Sequence, residues 1–115
     1  MSHNGNSASV ANELDVMRHS ASHVLAKELG PDGIRVNCVA PGHIMGDSLR
    51  AYFAYLGERR GVDARVIHDE VAAGNSLNRI TTPEEVADVV LFFASPRSRV
   101  ITGQTLAVNC GRTTE

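Results

Sequence analysis

Residues 33–42 read Gly-Ile-Arg-Val-Asn-Cys-Val-Ala-Pro-Gly, an apolar run that stops at a Pro-Gly turn. In the predicted strand Ile34–Ala40, apolar residues alternate with Arg35 and Asn37 and then run on, as in a strand buried on both faces. Pro41-Gly42 ends it, because proline cannot donate to a ladder and glycine lets another molecule approach the backbone. In open α/β sheets ligands bind beyond the carboxyl ends of strands, so this turn is the predicted ligand contact.

Composition narrows the class of protein. A chain of 115 residues, 43% apolar, forms one domain at most. Its net charge of −2 and the absence of a basic run give no reason to expect nucleic acid as a partner. No apolar stretch reaches membrane-spanning length and the amino terminus has no signal-peptide core, so we expect a cytoplasmic chain without membrane contact. Cys38 and Cys110 are predicted to be buried thiols rather than a disulfide framework or a redox pair.

The first third of the chain is predicted to be a leader and a helix. Residues 1–11 are rich in Ser, Asn and Gly and are read as a disordered leader, followed by one domain over residues 12–115. From Glu13 to Leu29 apolar residues recur at helical spacing, and Gly30 stands where a C′ glycine belongs. The predicted apolar face comprises Leu14, Met17, Ala21, Leu25 and Leu29.

Two helices are predicted after the turn. The first covers Asp47–Arg60 with Asp47 as its N-cap, and the second covers Val62–Ala73 and ends at Gly74. The apolar stripe of the first helix comprises Leu49, Tyr52, Phe53 and Leu56.

The strongest local signal in the sequence is Thr82-Pro83-Glu84-Glu85. Thr82 and Glu85 have the spacing of a capping box with proline at N1, so a helix is predicted to begin here. A last strand at Thr105–Val108 completes a βαβ unit, whose strands should be parallel. The predicted buried face of the helix comprises Val86, Val89, Val90 and Phe93.

Several of these motifs together resemble one known family. They are Lys27-Glu28-Leu29-Gly30, residues 33–37, Ala40-Pro41-Gly42, residues 79–87 and residues 101–104 with Val108-Asn109. Their order and spacing resemble the carboxyl-terminal part of the short-chain dehydrogenase/reductase family, from about Leu25 to about Gly111. The resemblance implies an α/β, truncated Rossmann-like doubly wound fold with about two parallel strands and four helices. The run Val108-Asn109-Cys110-Gly111 departs from the family's common Val-Asp-Gly-Gly at two positions.

The resemblance also implies a cofactor and a substrate site. The cofactor would be NAD or NADP, held at Pro41, Gly42 and Ile44, with the backbone amide of Ile44 on the nicotinamide carboxamide. Gly46 stands where the family often has a threonine contact. The two helices after the turn would cover a small alcohol or ketone, with Met45, Tyr52 and Phe53 as lid residues. The alternatives are a plain strand-ending turn and an aromatic stripe that only packs.

The family's catalytic residues have no counterpart here. In the family the first helix carries a Tyr-x-x-x-Lys pair, and in ungapped register Ala11 and Asp15 occupy those positions. An alternative register aligns His19-Ser20-Ala21-Ser22-His23 with the family variant Tyr-Ser-Ala-Ser-Lys. This register requires a deletion of about eight residues, or more than two turns, from the helix. His19 and His23 have the i,i+4 spacing of metal ligands, but no third ligand completes a set. The sequence also contains no glycine-rich phosphate loop, so no catalytic residue and no metal site are predicted.

Three functional interpretations follow. The first is the carboxyl-terminal portion of an NAD(P)-dependent oxidoreductase, inactive as an isolated chain because its acid/base pair and phosphate loop are missing. The second is a non-catalytic interaction module that forms a homo-oligomer or pairs with a complete subunit, favoured by the unpaired edge expected on the strand Ile34–Ala40. The third is the remnant of a truncated reading frame.

Overall fold

The computed structural model describes residue 17 and residues 20–112. This part of the chain contains four α-helices and a two-stranded parallel sheet of order β1-β2. The predicted fold class is therefore confirmed. The predicted leader, Ala11, Asp15 and His19 lie outside the described residues. The elements are α1 (helical over 20–29), β1 (Cys38–Pro41), α2 (Asp47–Arg60), α3 (Ala64–Ala73), α4 (Pro83–Ala94) and β2 (Thr105–Val108).

The described chain divides into two compact units. In the first, formed by the described residues up to Val39 and by Phe93–Leu106, Arg35 is the central polar group. Its guanidinium donates to the Ser98 hydroxyl at 2.9 Å and to the carbonyl oxygens of Phe93 at 2.9 Å, Ser95 at 3.3 Å and Ile101 at 3.3 Å. Because one guanidinium donates to all four of these oxygens, Arg35 fixes the turn that includes the short 3-10 helix Pro96–Ser98.

The predicted strand Ile34–Ala40 is shorter in the structure, where β1 covers Cys38–Pro41. Its residues are half-buried, apart from the exposed Pro41, so the expectation of a strand buried on both faces is wrong. The preceding residues bond to a turn instead of a strand: Gly103 N–H donates to the Val36 carbonyl at 2.7 Å. Asn37 similarly donates through Nδ2 to Ile101 O at 3.0 Å and accepts from Gln104 N–H at 3.1 Å.

The predicted apolar face of the first helix is wrong in its described part. Ser22 and Ala26 are the buried residues of α1, whereas Met17 is 64% and Leu25 is 45% exposed. The helical segment also ends later than the predicted cap at Gly30. A 3-10 helix, Gly30–Asp32, continues from α1, and the left-handed cap is Gly33 at φ 75°.

The second unit comprises Ala40–Phe92 and the described residues from Ala107 onward, and it contains the hydrophobic core. Phe53 on α2 and Ile67 on α3 are 2% and 3% exposed, and Ala72 and Ile80 complete the cluster. A bidentate ion pair joins the same two helices, with Arg60 Nη1 2.7 Å and Nη2 3.0 Å from the two carboxylate oxygens of Glu70. The apolar cluster and this ion pair therefore hold α2 against α3 in the core of this unit.

The helix boundaries agree with prediction at most positions. α2 covers the predicted Asp47–Arg60, but its N-cap is Gly46, and Asp47 instead pairs with Arg50 at 3.1 Å within the first turn. α3 begins two residues later than predicted, at Ala64, because the Asp63 carboxylate caps it by accepting from Arg65 N–H at 2.8 Å.

The capping box at the start of α4 is confirmed. Glu85 N–H donates to the Thr82 hydroxyl at 3.2 Å, and Thr82 N–H donates to the Glu85 carboxylate at 2.9 Å. The predicted buried face is less buried than expected, since Val86, Val89 and Phe93 are half-buried, Val90 is 49% exposed and no residue of α4 is fully buried. In the described part of the chain, no helix is long and apolar enough to cross a membrane.

Candidate functional site: the turn after β1 and the cleft beside it

The turn that follows β1 is held from two sides within the second unit. Ile44 forms a parallel bridge with Thr81, in which Met45 N–H donates to the Thr81 carbonyl at 2.8 Å. Gly42 lies against Asn109, close enough that a Cβ at position 42 would come 2.9 Å from the Asn109 Cβ. A side chain at position 42 would require the neighbouring turn to move, so glycine permits this close approach.

The N–H of Ile44 takes no part in the hydrogen bonds found among the described residues. The bridge engages the amide of the next residue, Met45, and Ile44 itself is half-buried. Pro41, Gly42 and His43 are exposed beside it. An amide N–H that is free at the carboxyl end of a strand can donate to a ligand carbonyl, which is the chemistry that a nicotinamide carboxamide needs.

Asn109 occupies a position where the sequence departs from the family pattern, yet its side chain has a defined structural role. Its Oδ1 accepts from Gly111 N–H at 3.0 Å and from Arg112 N–H at 3.1 Å, and its Nδ2 donates to Arg112 O at 3.2 Å. The two accepted bonds need only a side-chain oxygen, which an aspartate also has. Replacing Asp by Asn at this position therefore preserves the turn.

Cys110 is the second departure, and it has a positive φ of 57°. Its sulfur lies 3.3 Å from the hydroxyl of Thr81, a residue only 2% exposed. A left-handed backbone is costly for a residue with a side chain, so this position is strained where the family commonly has glycine. Cys38 and Cys110 are both free thiols, as predicted, but they are half-buried rather than buried.

A cleft of about 380 Å³ lies beside the turn, between α2 and α3. Met45 and Phe53, two of the three predicted lid residues, both line it. Tyr52, the third, is 54% exposed on α2 and lies outside this lining. The lining residues are Met45, Arg50, Phe53, Ala64, Arg65 and His68.

Three basic residues of this cleft were not identified from the sequence: Arg50, Arg65 and His68. The His68 ring stands edge-on to the Phe53 ring, with centroids 6.0 Å apart and an interplanar angle of 86°. Arg65 and His68 are three residues apart on α3, and that spacing places them on one face of a helix. This i,i+3 spacing can be read from the sequence, but the sequence does not show that this face of the helix lines a cleft.

The pKa values that are displaced belong to structural ion pairs. The side-chain hydrogen bond from Arg79, followed by the backbone hydrogen bond from Thr82, lowers the pKa of Glu85 to about 2. The side-chain hydrogen bond from Arg60 similarly lowers the pKa of Glu70. Among residues 17 and 20–112, no group of three or more His, Cys, Asp or Glu side chains could hold a metal ion.

The parallel strands and their helices form part of a Rossmann-type fold, and comparison with known proteins identifies the family. A family model described as enoyl-(acyl carrier protein) reductase matches residues 17–113. The chain belongs to the short-chain dehydrogenase/reductase family.

The relatives are reductases of greater length. The short-chain reductase protein NovJ from Streptomyces niveus is 41% identical over 91 residues, which are 79% of this chain and 33% of NovJ. The 3-oxoacyl-(acyl-carrier-protein) reductase FabG from Chlamydia muridarum is 41% identical over 90 residues, 78% of this chain and 32% of FabG. This chain therefore spans about a third of the length of the curated relatives it matches.

A solved structure of a reductase has the same fold over most of this chain. L-sorbose reductase from Gluconobacter frateurii, crystallised with NADPH and L-sorbose, superposes with a TM-score of 0.75 at 30% identity. The superposition covers 84% of this chain and 37% of that one.

Proposed function

We propose that this chain is the carboxyl-terminal portion of an NAD(P)-dependent oxidoreductase that transfers hydride between nicotinamide and an alcohol or ketone carbon. The observation that carries the proposal is the N–H of Ile44, which bonds to none of the described residues and lies just beyond β1, beside an exposed Pro41-Gly42 turn. Relatives named as reductases, and a structural neighbour solved with NADPH, support the same cofactor class.

In this proposal the turn binds and orients the nicotinamide. The amide of Ile44 would donate to the carboxamide and would so select which face of the ring meets the substrate. Gly42 keeps the backbone open to the ring, and Met45 and Phe53 line the adjoining cleft on the substrate side. When bound, the nicotinamide would supply or accept the hydride, while the chain's own residues would orient it and exclude water.

We propose further that the isolated chain has no turnover. Ala11 and Asp15 stand in the ungapped register of the family's tyrosine and lysine, and neither provides a phenol or an ammonium group. Loss of general acid/base catalysis lowers a rate by about 10²–10⁴-fold. Without a glycine-rich loop, the nucleotide phosphates also lack the backbone amides that would anchor them.

The proposal is tested by an NMR titration of the ¹⁵N-labelled chain with NADH and with NADPH. We expect the amide of Ile44 to shift progressively at millimolar nucleotide. Leu77, whose amide already donates to Cys110 O at 3.0 Å, is an internal control that should not move. Shifts elsewhere with no change at residues 42–45 would overturn the assignment of the nicotinamide contact.

A second function, that of an interaction module, is favoured by exposed apolar side chains on α4. Leu91 is 66% and Val90 is 49% exposed there. If this face joins two copies or a complete subunit, Leu91→Glu should abolish association measured by sedimentation velocity. Leu77→Glu, at a residue 61% exposed in a loop, is the matched control and should leave association unchanged.

A further inference from the structure

We propose that the cleft between α2 and α3 binds the anionic end of a substrate whose remaining part is apolar, with Arg65 as the charge partner. The inference rests on the proposed function and deepens it by naming the substrate class: a ketone or alcohol bearing a carboxylate or phosphate group.

The charges that line the cleft carry the inference. Half of its lining residues are basic and none is acidic. Two of the basic groups have carboxylate neighbours: Arg50 Nη1 lies 3.1 Å from Asp47, and His68 Nδ1 lies 2.9 Å from Asp69. The side chain of Arg65 forms no ion pair with a carboxylate in the described part of the chain. Arg65 is therefore the cation available to a ligand.

The cleft is built on fixed elements. Arg65 lies in the first turn of α3, where its own N–H is held by the Asp63 carboxylate at 2.8 Å. Phe53 is 2% exposed and belongs to the core, and it meets the His68 ring edge-on. A cleft of about 380 Å³ lies in the size range of small-molecule sites, about 300–1,000 Å³.

The chemistry of the lining selects the ligand. A guanidinium presents parallel N–H donors that match two oxygens of a carboxylate or phosphate. Met45, Phe53 and Ala64 provide an apolar surface for a carbon chain or ring. A neutral ligand of the same shape would gain the apolar contact but not the charged hydrogen bonds, so affinity should depend on the negative charge.

The test is an NMR titration of the intact 115-residue chain, without nucleotide, using three probes of equal chain length: hexanoate, hexyl phosphate and hexan-1-ol. We expect the amides of residues 64–68 to shift with the anions and the affinity for hexan-1-ol to be about tenfold lower. A preference for hexanoate indicates a carboxylate substrate, and one for hexyl phosphate indicates a phosphate ester. Equal binding of the alcohol, or no binding of either anion, would overturn the inference.

Variants separate charge from shape. Arg65→Gln should weaken binding of the preferred anion about tenfold, whereas Arg65→Lys should retain most of it. Arg97→Gln, at an exposed arginine of the first unit, is the matched control and should bind like the parent chain. If Arg65→Gln binds like the parent chain, Arg65 is not the charge partner. Because this titration contains no nucleotide, such a result would not bear on the nicotinamide contact at Ile44, which the titration with NADH and NADPH tests separately.

Discussion

Gly42 and Asn109 lie so close that a methyl group on Gly42 would come 2.9 Å from the Cβ of Asn109. Asn109 cannot withdraw freely, because its Oδ1 accepts from the backbone N–H groups of Gly111 and Arg112. The turn after β1 and the turn after β2 therefore fix each other. The position of the Ile44 amide depends on this contact.

Replacing Gly42 by alanine should destabilise the chain. The added methyl group overpacks the contact with Asn109, which typically costs about 1–3 kcal/mol. Urea unfolding monitored by circular dichroism measures the change. Gly30→Ala is the control, because a Cβ there meets nothing within 4 Å and stability should stay the same or rise slightly. Equal stability of the two variants would contradict the account of the turn.

Replacing Arg35 by methionine should cost on the order of 3 kcal/mol, because four hydrogen bonds from one charged donor are lost. The apolar stem of the side chain is retained, so the loss reports mainly on the polar contacts. The free energy of unfolding in urea is the measurement, and Arg97→Met is the control on an exposed surface. A loss no larger than that of Arg97→Met would mean that the carbonyl cluster does not need Arg35.

The capping box should make stability depend on pH. The folded-state pKa of Glu85 is lowered to about 2 from its ordinary value of 4.5, chiefly by the hydrogen bond from Arg79. A depressed pKa gives stability that is present above pH 4.5 and is lost as the pH falls toward 2. Melting temperatures of the parent chain should fall across this window.

Glu85→Gln isolates this contribution. The variant should melt lower than the parent chain at neutral pH and decline less steeply between pH 4.5 and 2. Part of the slope should remain, because the pKa of Glu70 is also lowered. Glu84→Gln, on an exposed residue of the same turn, is the control. An identical slope in Glu85→Gln and the parent chain would contradict the assigned role of Glu85.

The sequence predicted correctly those features of the fold that depend on residues close together in the chain. The capping box of Thr82 and Glu85 and the end of α3 at Gly74 depend on residues a few positions apart, and the structure has both. The strand at Cys38–Pro41 overlaps only the carboxyl-terminal part of the predicted Ile34–Ala40, and the polar residues before it bond to a distant turn. Propensity carries no information on such a partner.

The remaining errors concern which face of a helix is covered. Leu25 and Val90 satisfied the apolar periodicity, yet they are 45% and 49% exposed. Periodicity identifies an apolar face, but burial also needs a neighbouring element, and periodicity does not say where that element lies. For the same reason the sequence located Met45 and Phe53 near the site but did not reveal Arg65 and His68 beside them.

Whether this chain alone holds the nucleotide is measured by thermal unfolding of the purified chain with and without NADH or NADPH at about 1 mM. With the phosphates unanchored, we expect a dissociation constant of about 10 mM or weaker, which stabilises the fold by less than about 0.1 kcal/mol. The predicted result is an unchanged melting temperature. A rise of several degrees would contradict the account, since it would mean that this chain holds the nucleotide without a glycine-rich loop.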